Sequence, residues 1–407
     1  MTETKTPAAP SVRWAYLVTG VIAMLFAGVI YAWSILKAPF SSEFGWNANQ
    51  LALNFTLTMC CFCLGGLLGS MLSKRLGFRV ALFVAAVLGC AGFLLTSTLT
   101  GGSVALLYVF YAVLAGLGIG VAYNVTISTV SRWFPDKKGL CSGCLMMGFG
   151  ASALVLGNLA NGMFASAGWR TTYLVLGVAL GVIIAAAALI LRAPGADTVL
   201  PEARAKAAGK ENFEVRDLRP GEMLRRPSFW MAFVALVFLS AVGSSVISFA
   251  KDLALSVGAA ESLAVTLVGV LSVCNGLGRI LTGAVFDAIG RRKTMLAANI
   301  LTIAAAGVTL LSVFVSSLPL CIVGLCLTGM SYGSCPTVTS AFTSAFYGMK
   351  YFPTNLSLMT FNLMGASFLA TLSSSLLTSS GGYVLPFAVL LVLTVVALVL
   401  NLFIRKP

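Results

Sequence analysis

The residues with the clearest chemical potential are Arg279 and Asn275, which lie in the apolar segment VTLVGVLSVCNGLGRILTGAVFD, residues 265–287. Four residues make about one helical turn, so both side chains would project from the same face of a helix. A charged arginine at the centre of a bilayer costs about 2.5 to 3.5 kcal/mol on insertion scales, so it is expected where water, a counter-charge or a ligand receives it. A guanidinium holds a carboxylate through two parallel hydrogen bonds. The pair therefore predicts an anion-binding site.

Each of these two residues also has a purely structural interpretation. Arg279 precedes Asp287 by eight residues, a rise of about 12 Å, so its long side chain could pair with that acid or reach toward the cytoplasm. Asn275 could donate to a substrate oxygen or bond to a neighbouring helix. Ligand binding is favoured because no Asp, Glu or His lies inside any other predicted span.

The surrounding chain has the composition of a polytopic membrane protein. Of its 407 residues, 59% are hydrophobic and 9% are charged, which leaves too little polar surface for a soluble globule of this size. A spanning helix needs about 20 mostly apolar residues. Twelve segments meet this requirement, at residues 14–36, 48–73, 79–99, 103–130, 139–165, 171–192, 228–250, 260–286, 293–315, 318–346, 354–380 and 382–404.

One long polar interval divides these spans into six and six. We predict an N-terminal six-helix bundle at residues 1–192, a cytoplasmic linker at 193–227 and a C-terminal six-helix bundle at 228–407. The linker is rich in charged residues, Pro and Gly, and is interpreted as a solvated tether.

The distribution of the 26 Lys and Arg residues predicts the orientation. With the N-terminus inside, 22 of them fall in cytoplasmic segments, and only Lys37, Arg170 and Lys251 fall outside. Because basic residues gather on cytoplasmic loops, both termini are predicted to be cytoplasmic, in a plasma (inner) membrane. The net charge of +14 is then a topology signal, and no nucleic-acid partner is expected.

Catalytic and metal chemistry find little support in the sequence. The chain has no His, no acid pair within a span and no nucleophile beside a base, so neither an enzyme nor a cofactor or metal site is predicted. The glycine runs at residues 116–120 and 148–152 lack a following Lys-Ser and are interpreted as sites of close helix packing.

Two loops recur in the second half of the chain. SMLSKRLGFR (70–79) matches GAVFDAIGRR (283–292) at a displacement of 213 residues, and Trp133-Phe134-Pro135 matches Tyr351-Phe352-Pro353 at 218. Nearly equal displacements indicate a duplication, and repeated halves commonly surround a central transport site.

Twelve spans, the six-plus-six division and GxxxDxxGRR between spans 8 and 9 resemble the major facilitator superfamily. The resemblance implies an all-α integral membrane fold of 12 transmembrane helices in two pseudo-symmetric six-helix bundles. It also implies a conformational latch at these loops, in which the acid caps a neighbouring helix and pairs with basic residues. The predicted latch residues are Gly283, Asp287, Gly290, Arg291 and Arg75. The first-half copy departs from the pattern, with Ser70 at the first glycine and Lys74 at the acid.

A narrower resemblance is carried by YAWSILKAPF (31–40), RWFPDKKGLCSG (132–143) and GEMLRRPSFW (221–230). These segments are similar to the oxalate/formate antiporter branch, the bacterial neighbours of the monocarboxylate transporters. The resemblance implies that Arg279 binds the substrate carboxylate and that Tyr31, Tyr123 and Tyr332 line the cavity.

The departures from that branch favour a substrate with one carboxylate. Its oxalate exchangers carry a Lys in span 11, whereas NLSLMTFNLMGASF (355–368) has none, with Leu363 at the matching position and Asn362 beside it. Thr328 and Thr360 replace bulky tryptophans, which implies a roomier chamber. Phe361 and Asn362 complete the predicted substrate-binding residues.

The expected function is therefore secondary active transport of small monocarboxylates resembling lactate or pyruvate by alternating access, either coupled to protons or by anion exchange. An oxalate/formate-type antiporter is the alternative. A drug exporter is disfavoured by the lack of an intramembrane acid, and a sensor by the short linker. The expected partners are the organic anion, a proton in the case of symport and the lipid bilayer, with the chain acting as a monomer.

Overall fold

The computed structural model describes residues 6–7, 10–195, 198–201 and 217–404 of the chain. The chain divides into two compact units, Met1–Arg204 and Ala205–Pro407. The α-helices of the first unit are α1 (Pro10–Ala27), α2 (Trp33–Leu36), α3 (Ala38–Phe44), α4 (Ala48–Leu76), α5 (Phe78–Ser97), α6 (Val104–Leu107), α7 (Gly116–Val130) and α8 (Lys138–Ile190). Short 3-10 segments at Gly28–Ala32 and Ser131–Trp133 and a π-helical segment at Tyr108–Ala115 connect some of them. The strands β1 (Thr6–Pro7) and β2 (Thr198–Val199) form a parallel pair in which Thr6 is opposite Thr198.

The second unit is likewise helical. Its helices are α9 (Pro220–Leu224), α10 (Pro227–Ser256), α11 (Glu261–Ile289), α12 (Arg291–Phe314), α13 (Leu318–Tyr347), α14 (Phe352–Thr360), α15 (Asn362–Ser380) and α16 (Val384–Phe403). Its apolar core is built mainly from one face each of α10, α11, α13 and α16, with members such as Val246, Leu271 and Leu390.

Among the described residues, eleven helical stretches are long and apolar enough to cross a membrane. One of them, α8, has 53 residues, which at 1.5 Å per residue would extend about 80 Å and exceed a hydrocarbon core of about 30 Å. Gly168 interrupts it with φ 79° and ψ 161°, so α8 is two consecutive spans joined at a sharp turn. The twelve spans predicted from the sequence are thereby confirmed.

The two duplicated loops share one backbone conformation. Gly77, between α4 and α5, has φ 88° and ψ 158°, and Gly290, between α11 and α12, has φ 78° and ψ 173°. This region of backbone conformation is essentially restricted to glycine. The two glycines are 213 residues apart, the displacement that relates the two loops in the sequence.

The last part of the predicted linker packs onto the second unit. Leu218 is 2% exposed and Met223 is fully buried, in a cluster that includes Phe342 and Phe346 of α13. Leu218 donates its backbone N–H to the Tyr347 carbonyl at 3.1 Å, and its own carbonyl accepts from Asn355 Nδ2 at 3.0 Å. This end of the linker is therefore part of the folded core, and the interpretation of the whole interval as a solvated tether was wrong for these residues.

In the first unit, Glu43 connects α3 to the turn that divides α8. Its carboxylate accepts hydrogen bonds from Trp169 Nε1 and from Arg170 Nη2, the latter at 2.8 Å. Arg170 also donates to the Leu99 carbonyl at 3.2 Å and stacks over the Trp169 ring at 4.4 Å. Phe40, which is fully buried, packs edge-on against Trp169 at 5.3 Å and links this polar group to the aromatic core.

These contacts predict a measurable pH dependence of stability. The hydrogen bonds from Trp169 and Arg170 lower the pKa of Glu43 below its ordinary 4.5. A carboxylate whose pKa is lower in the folded state stabilises the fold above its unfolded pKa, and this contribution is lost as the pH falls through the folded pKa. Between about pH 5 and about pH 3, we expect the thermal midpoint of the wild type to fall more steeply than that of Glu43→Gln. Parallel slopes in Trp-fluorescence melting would contradict this role.

Candidate substrate-binding site

Arg279 lies on α11 with 1% of its surface exposed, and it is among the largest fully buried side chains of the protein. Its Nε donates to Oδ1 of Asn275 at 3.1 Å, one helical turn away, and Asn275 is 7% exposed. The structure thus brings the two residues together on one face, as their spacing predicts. Because the bond uses the carbonyl oxygen of the Asn275 amide, the amide's Nδ2 is the group that can donate to a substrate oxygen.

Small residues position this part of α11 against α13. A Cβ atom on Gly333 would collide with the carbonyl oxygen of Asn275 and approach the Arg279 backbone nitrogen at 3.1 Å. A Cβ on Gly278 would collide in the same way with the carbonyl oxygen of Met330. Thr337 Oγ1 also donates to the Arg279 carbonyl at 3.2 Å. The backbone that carries the arginine is therefore held directly against its neighbour, with no side chains between them.

The other predicted residues of the second unit occupy different surroundings. Tyr332 on α13 is 7% exposed, and its ring covers Gly243 of α10 so closely that a Cβ there would collide with it. Phe361 is half-buried at the turn between α14 and α15. Asn362 is 1% exposed and donates through Nδ2 to Thr339 Oγ1 at 3.3 Å and to the Met359 carbonyl at 2.8 Å. The first bond ties α15 to α13 and the second ties it to α14, which is a structural use of the amide.

Tyr31 and Tyr123 lie in the first unit and share one aromatic neighbour. The Phe149 ring packs edge-on against both, with centroids 5.1 Å from each, and Phe62 packs on Tyr123 at 4.9 Å. The hydroxyl of Tyr123 contacts the Met146 sulfur at 2.9 Å. Phe149 is not among the residues predicted from the sequence, because residues 148–152 are interpreted there only as a site of close helix packing. The available signal was that it is the one large side chain in GFGAS.

The predicted latch residues lie at the duplicated loops. Gly283 is buried near the end of α11, Asp287 is half-buried one turn later, and Gly290 forms the turn into α12. The guanidinium of Arg291 lies 3.9 Å from the centre of the Phe346 ring, in a cation–π contact. Arg75 is exposed at the end of α4 in the first unit. Their action as a latch stays a prediction.

Within the described residues, twelve apolar spans with a buried cation on one of them are typical of polytopic membrane transporters. The chain belongs to the major facilitator superfamily, whose family model matches residues 15–249 and 234–407. This confirms the resemblance found in the loop motifs. The family is one of transporters and not of enzymes.

Two relatives from within this superfamily are similar to the chain in sequence. The chain is 30% identical over 286 residues to the oxalate:formate antiporter of Oxalobacter formigenes, a match that covers 70% of this chain and 65% of the antiporter, just under two thirds of its length. It is 22% identical over 405 residues to monocarboxylate transporter 12 of Homo sapiens, covering 93% of this chain and 78% of that one.

Solved structures share the fold at low sequence identity. The proton:xylose symporter XylE, bound to 6-bromo-6-deoxy-D-glucose, aligns with a TM-score of 0.76 and 13% identity over 97% of this chain and 96% of its own. The transporter FucP in its outward conformation aligns with a TM-score of 0.72 and 13% identity, over 97% and 99% of the two chains. At such identity the likeness shows the major facilitator fold alone.

The packing of α11 on α13 yields a test of how Arg279 is positioned. Gly333→Ala should destabilise the protein by roughly 1 to 3 kcal/mol, because the added methyl forces two helix backbones apart. Gly269→Ala on α11 is the matched control, since nothing lies within 4 Å of a Cβ at that position. Detergent-solubilised protein should therefore melt several degrees lower for the first variant only. Equal melting temperatures for the two variants would contradict the close contact.

Proposed function

We propose that this member of the major facilitator superfamily transports small substituted monocarboxylates, such as lactate or pyruvate, by alternating access. The observation that carries the proposal is the burial of Arg279, a permanent cation with 1% of its surface exposed on an apolar helix. In a transporter, the simplest role for a buried cation is to bind a substrate anion. The names of the antiporter and of the human relative both specify carboxylates, which agrees with this substrate class.

The geometry of Arg279 suits a carboxylate. Its Nε bond to Asn275 orients the planar guanidinium, and the two Nη nitrogens form the fork that a carboxylate accepts through two parallel hydrogen bonds. The Nδ2 group of Asn275 is one turn away, where it would donate to a hydroxyl or keto oxygen on the neighbouring carbon. A substituted acid such as lactate uses both groups.

A single positive charge favours one carboxylate over two. Apart from Arg79, Arg192 and Lys293, which lie at the very ends of their spans, Arg279 is the only Lys or Arg within the predicted spans, and residues 355–368 contain no basic side chain. Leu363, at the position where the oxalate exchangers carry Lys, is 7% exposed. A dianion bound at Arg279 would bring a second carboxylate into apolar surroundings without a partner charge, which is unfavourable.

Charge compensation couples substrate binding to the transport cycle. Bound substrate neutralises Arg279, whereas the empty carrier retains a cation in its interior, and this difference favours exchange or proton-accompanied movement over uniport of the bare anion. The amide of Asn275 cannot carry a proton, so a coupling proton would travel with the substrate or through water. Tyr31 and Tyr123 remain the predicted contribution of the first unit to the pathway, and Tyr332, Phe361 and Asn362 that of the second.

The proposal includes the arrangement in the membrane. Both termini and the interval 193–227 are placed in the cytoplasm, between bundles at residues 1–192 and 228–407, in the plasma membrane and in a monomer. The orientation is supported by the 22 to 3 division of basic residues between the two sides, which follows the positive-inside rule.

The role of Arg279 is tested by uptake into proteoliposomes. Arg279→Ala should lower lactate or pyruvate uptake at least about tenfold, because each hydrogen bond to a charged group contributes roughly 1.5 to 3 kcal/mol. Arg279→Lys should recover little of this uptake, since a point charge lacks the planar fork. Arg225→Ala, which removes an exposed arginine at the end of α9, is the control with normal uptake expected. Near-normal uptake and affinity in Arg279→Ala would refute the assignment.

An oxalate/formate exchanger is the second candidate, favoured by the 30% identity to the Oxalobacter formigenes antiporter. Ligands that bind only the folded protein raise its melting temperature. We expect lactate and pyruvate to stabilise the purified wild type and oxalate to have little effect. Leu363→Lys should shift this preference toward oxalate by supplying a second charge. Strong stabilisation of the wild type by oxalate would favour the second candidate.

A further inference from the structure

The first unit has an open groove on the side of α4. It encloses about 320 Å³, within the range of small-molecule sites, which is about 300 to 1,000 Å³. Seven of its eight lining residues are apolar and the eighth is a cation; they are Leu68, Met71, Leu72, Arg75, Val84, Leu88, Leu117 and Val121. Leu68 is 51% exposed and Met71 is 46% exposed, so the groove opens to the outside of the protein.

The helices that flank the groove pack backbone against backbone at several glycines. Gly65 of α4 lies against the Leu117 backbone, and Gly69 lies against Val121 of α7, where an added Cβ would be 2.9 Å from Cα. Gly118 of α7 lies as closely against Gly89 of α5. Because backbones in direct contact cannot approach further, the larger side chains beside these glycines leave a groove that none of the residues described by the structure fills.

Positive charge gathers around Arg75, the one basic residue that lines the groove. Lys74 and Arg75 lie in the last turn of α4, and Arg79 lies in the first turn of α5. All three are exposed, and residues 70–79 contain no acid. The corresponding loop of the second half differs on this point, because it carries Asp287 where this loop carries Lys74.

The start of α5 adds to this preference for an anion. Its N-cap is Gly77, which has no side chain to accept hydrogen bonds from the first N–H groups of the helix. Exposed N–H groups and the positive end of the helix dipole favour a phosphate. The first turn of α5 holds Arg79 and follows closely after Arg75, which lines the groove, so one ligand could meet the N–H groups, the arginines and the apolar walls.

We propose that this groove binds one anionic phospholipid, with an acyl chain along Leu68, Leu72 and Leu117 and the phosphate at Arg75 and Arg79. A soluble anion would leave the apolar walls of the groove without an apolar partner. A zwitterionic lipid would place its own cation among three residues that are already basic. The bound phosphate supplies this loop with the negative charge that Asp287 supplies in the other. This inference is independent of the transported substrate.

Lipid binding can be measured on the purified, delipidated protein in detergent. In native mass spectrometry, phosphatidylglycerol should bind at least about tenfold more tightly than phosphatidylcholine with the same chains, since each nearby basic residue contributes roughly fivefold. Lys74→Asp, which copies the charge of the second loop, should remove most of this preference, as should the double variant Arg75→Gln, Arg79→Gln. Arg292→Gln, at the repeat position of Arg79, should leave it unchanged.

The apolar half of the site is tested separately. Leu72→Trp should fill the groove and lower the binding of phosphatidylglycerol without changing the charge, and gel filtration reports whether each variant is folded. Equal binding of the two lipids, or the same preference in Lys74→Asp and wild type, would overturn the proposal. Displacement of the lipid by millimolar inorganic phosphate would also overturn it, since the loop would then be a simple anion site.

Discussion

The second unit must accommodate the buried guanidinium of Arg279 on an otherwise apolar helix, and the packing around it serves this requirement. An arginine at the centre of a bilayer costs roughly 2.5 to 3.5 kcal/mol, and Arg279 is 1% exposed. Its surroundings hold it in one position: Asn275 accepts from Nε, Thr337 donates to its carbonyl, and Gly333 brings α13 against its backbone. In the proposed substrate site, a cation fixed in this way would discriminate between ligands by geometry, because it has little freedom to follow an ill-fitting anion.

The duplicated loops show how the two halves diverged. Gly77 and Gly290 adopt the same glycine-specific conformation 213 residues apart, so the backbone of the turn is common to both. The charges are not, since Lys74 occupies the position of Asp287. A tight turn between two long helices requires a particular backbone shape, whereas the charges at its surface can change with the ligand or neighbour they meet. In the proposed lipid site, the groove lined by Arg75 is where this difference of charge would act.

The last residues of the interval between the two bundles show that composition alone does not predict whether a segment is packed or solvated. Residues 217–224 contain both acidic and basic side chains, and their composition suggests a solvated segment. Two of them, Leu218 and Met223, are nevertheless buried against α13. Asp217 accepts the Lys350 backbone N–H at 3.1 Å, so a charged residue next to the buried pair completes the contact. Two anchors in a polar stretch are sufficient for docking, because the surrounding charges can remain at the surface.

Local properties were determined by the sequence alone. The length and hydropathy of each span, the break at Gly168 and the shared face of Arg279 and Asn275 all depend on residues a few positions apart, and helical geometry relates such residues directly. Tertiary structure decided the contacts between helices, such as the bond from Asn362 to Thr339 and the position of Phe149 between Tyr31 and Tyr123. The physical reason is that helical periodicity specifies which side chains share a face. Which faces meet depends on the packing of backbones, and here that packing is set by small residues whose neighbours lie far away in the chain.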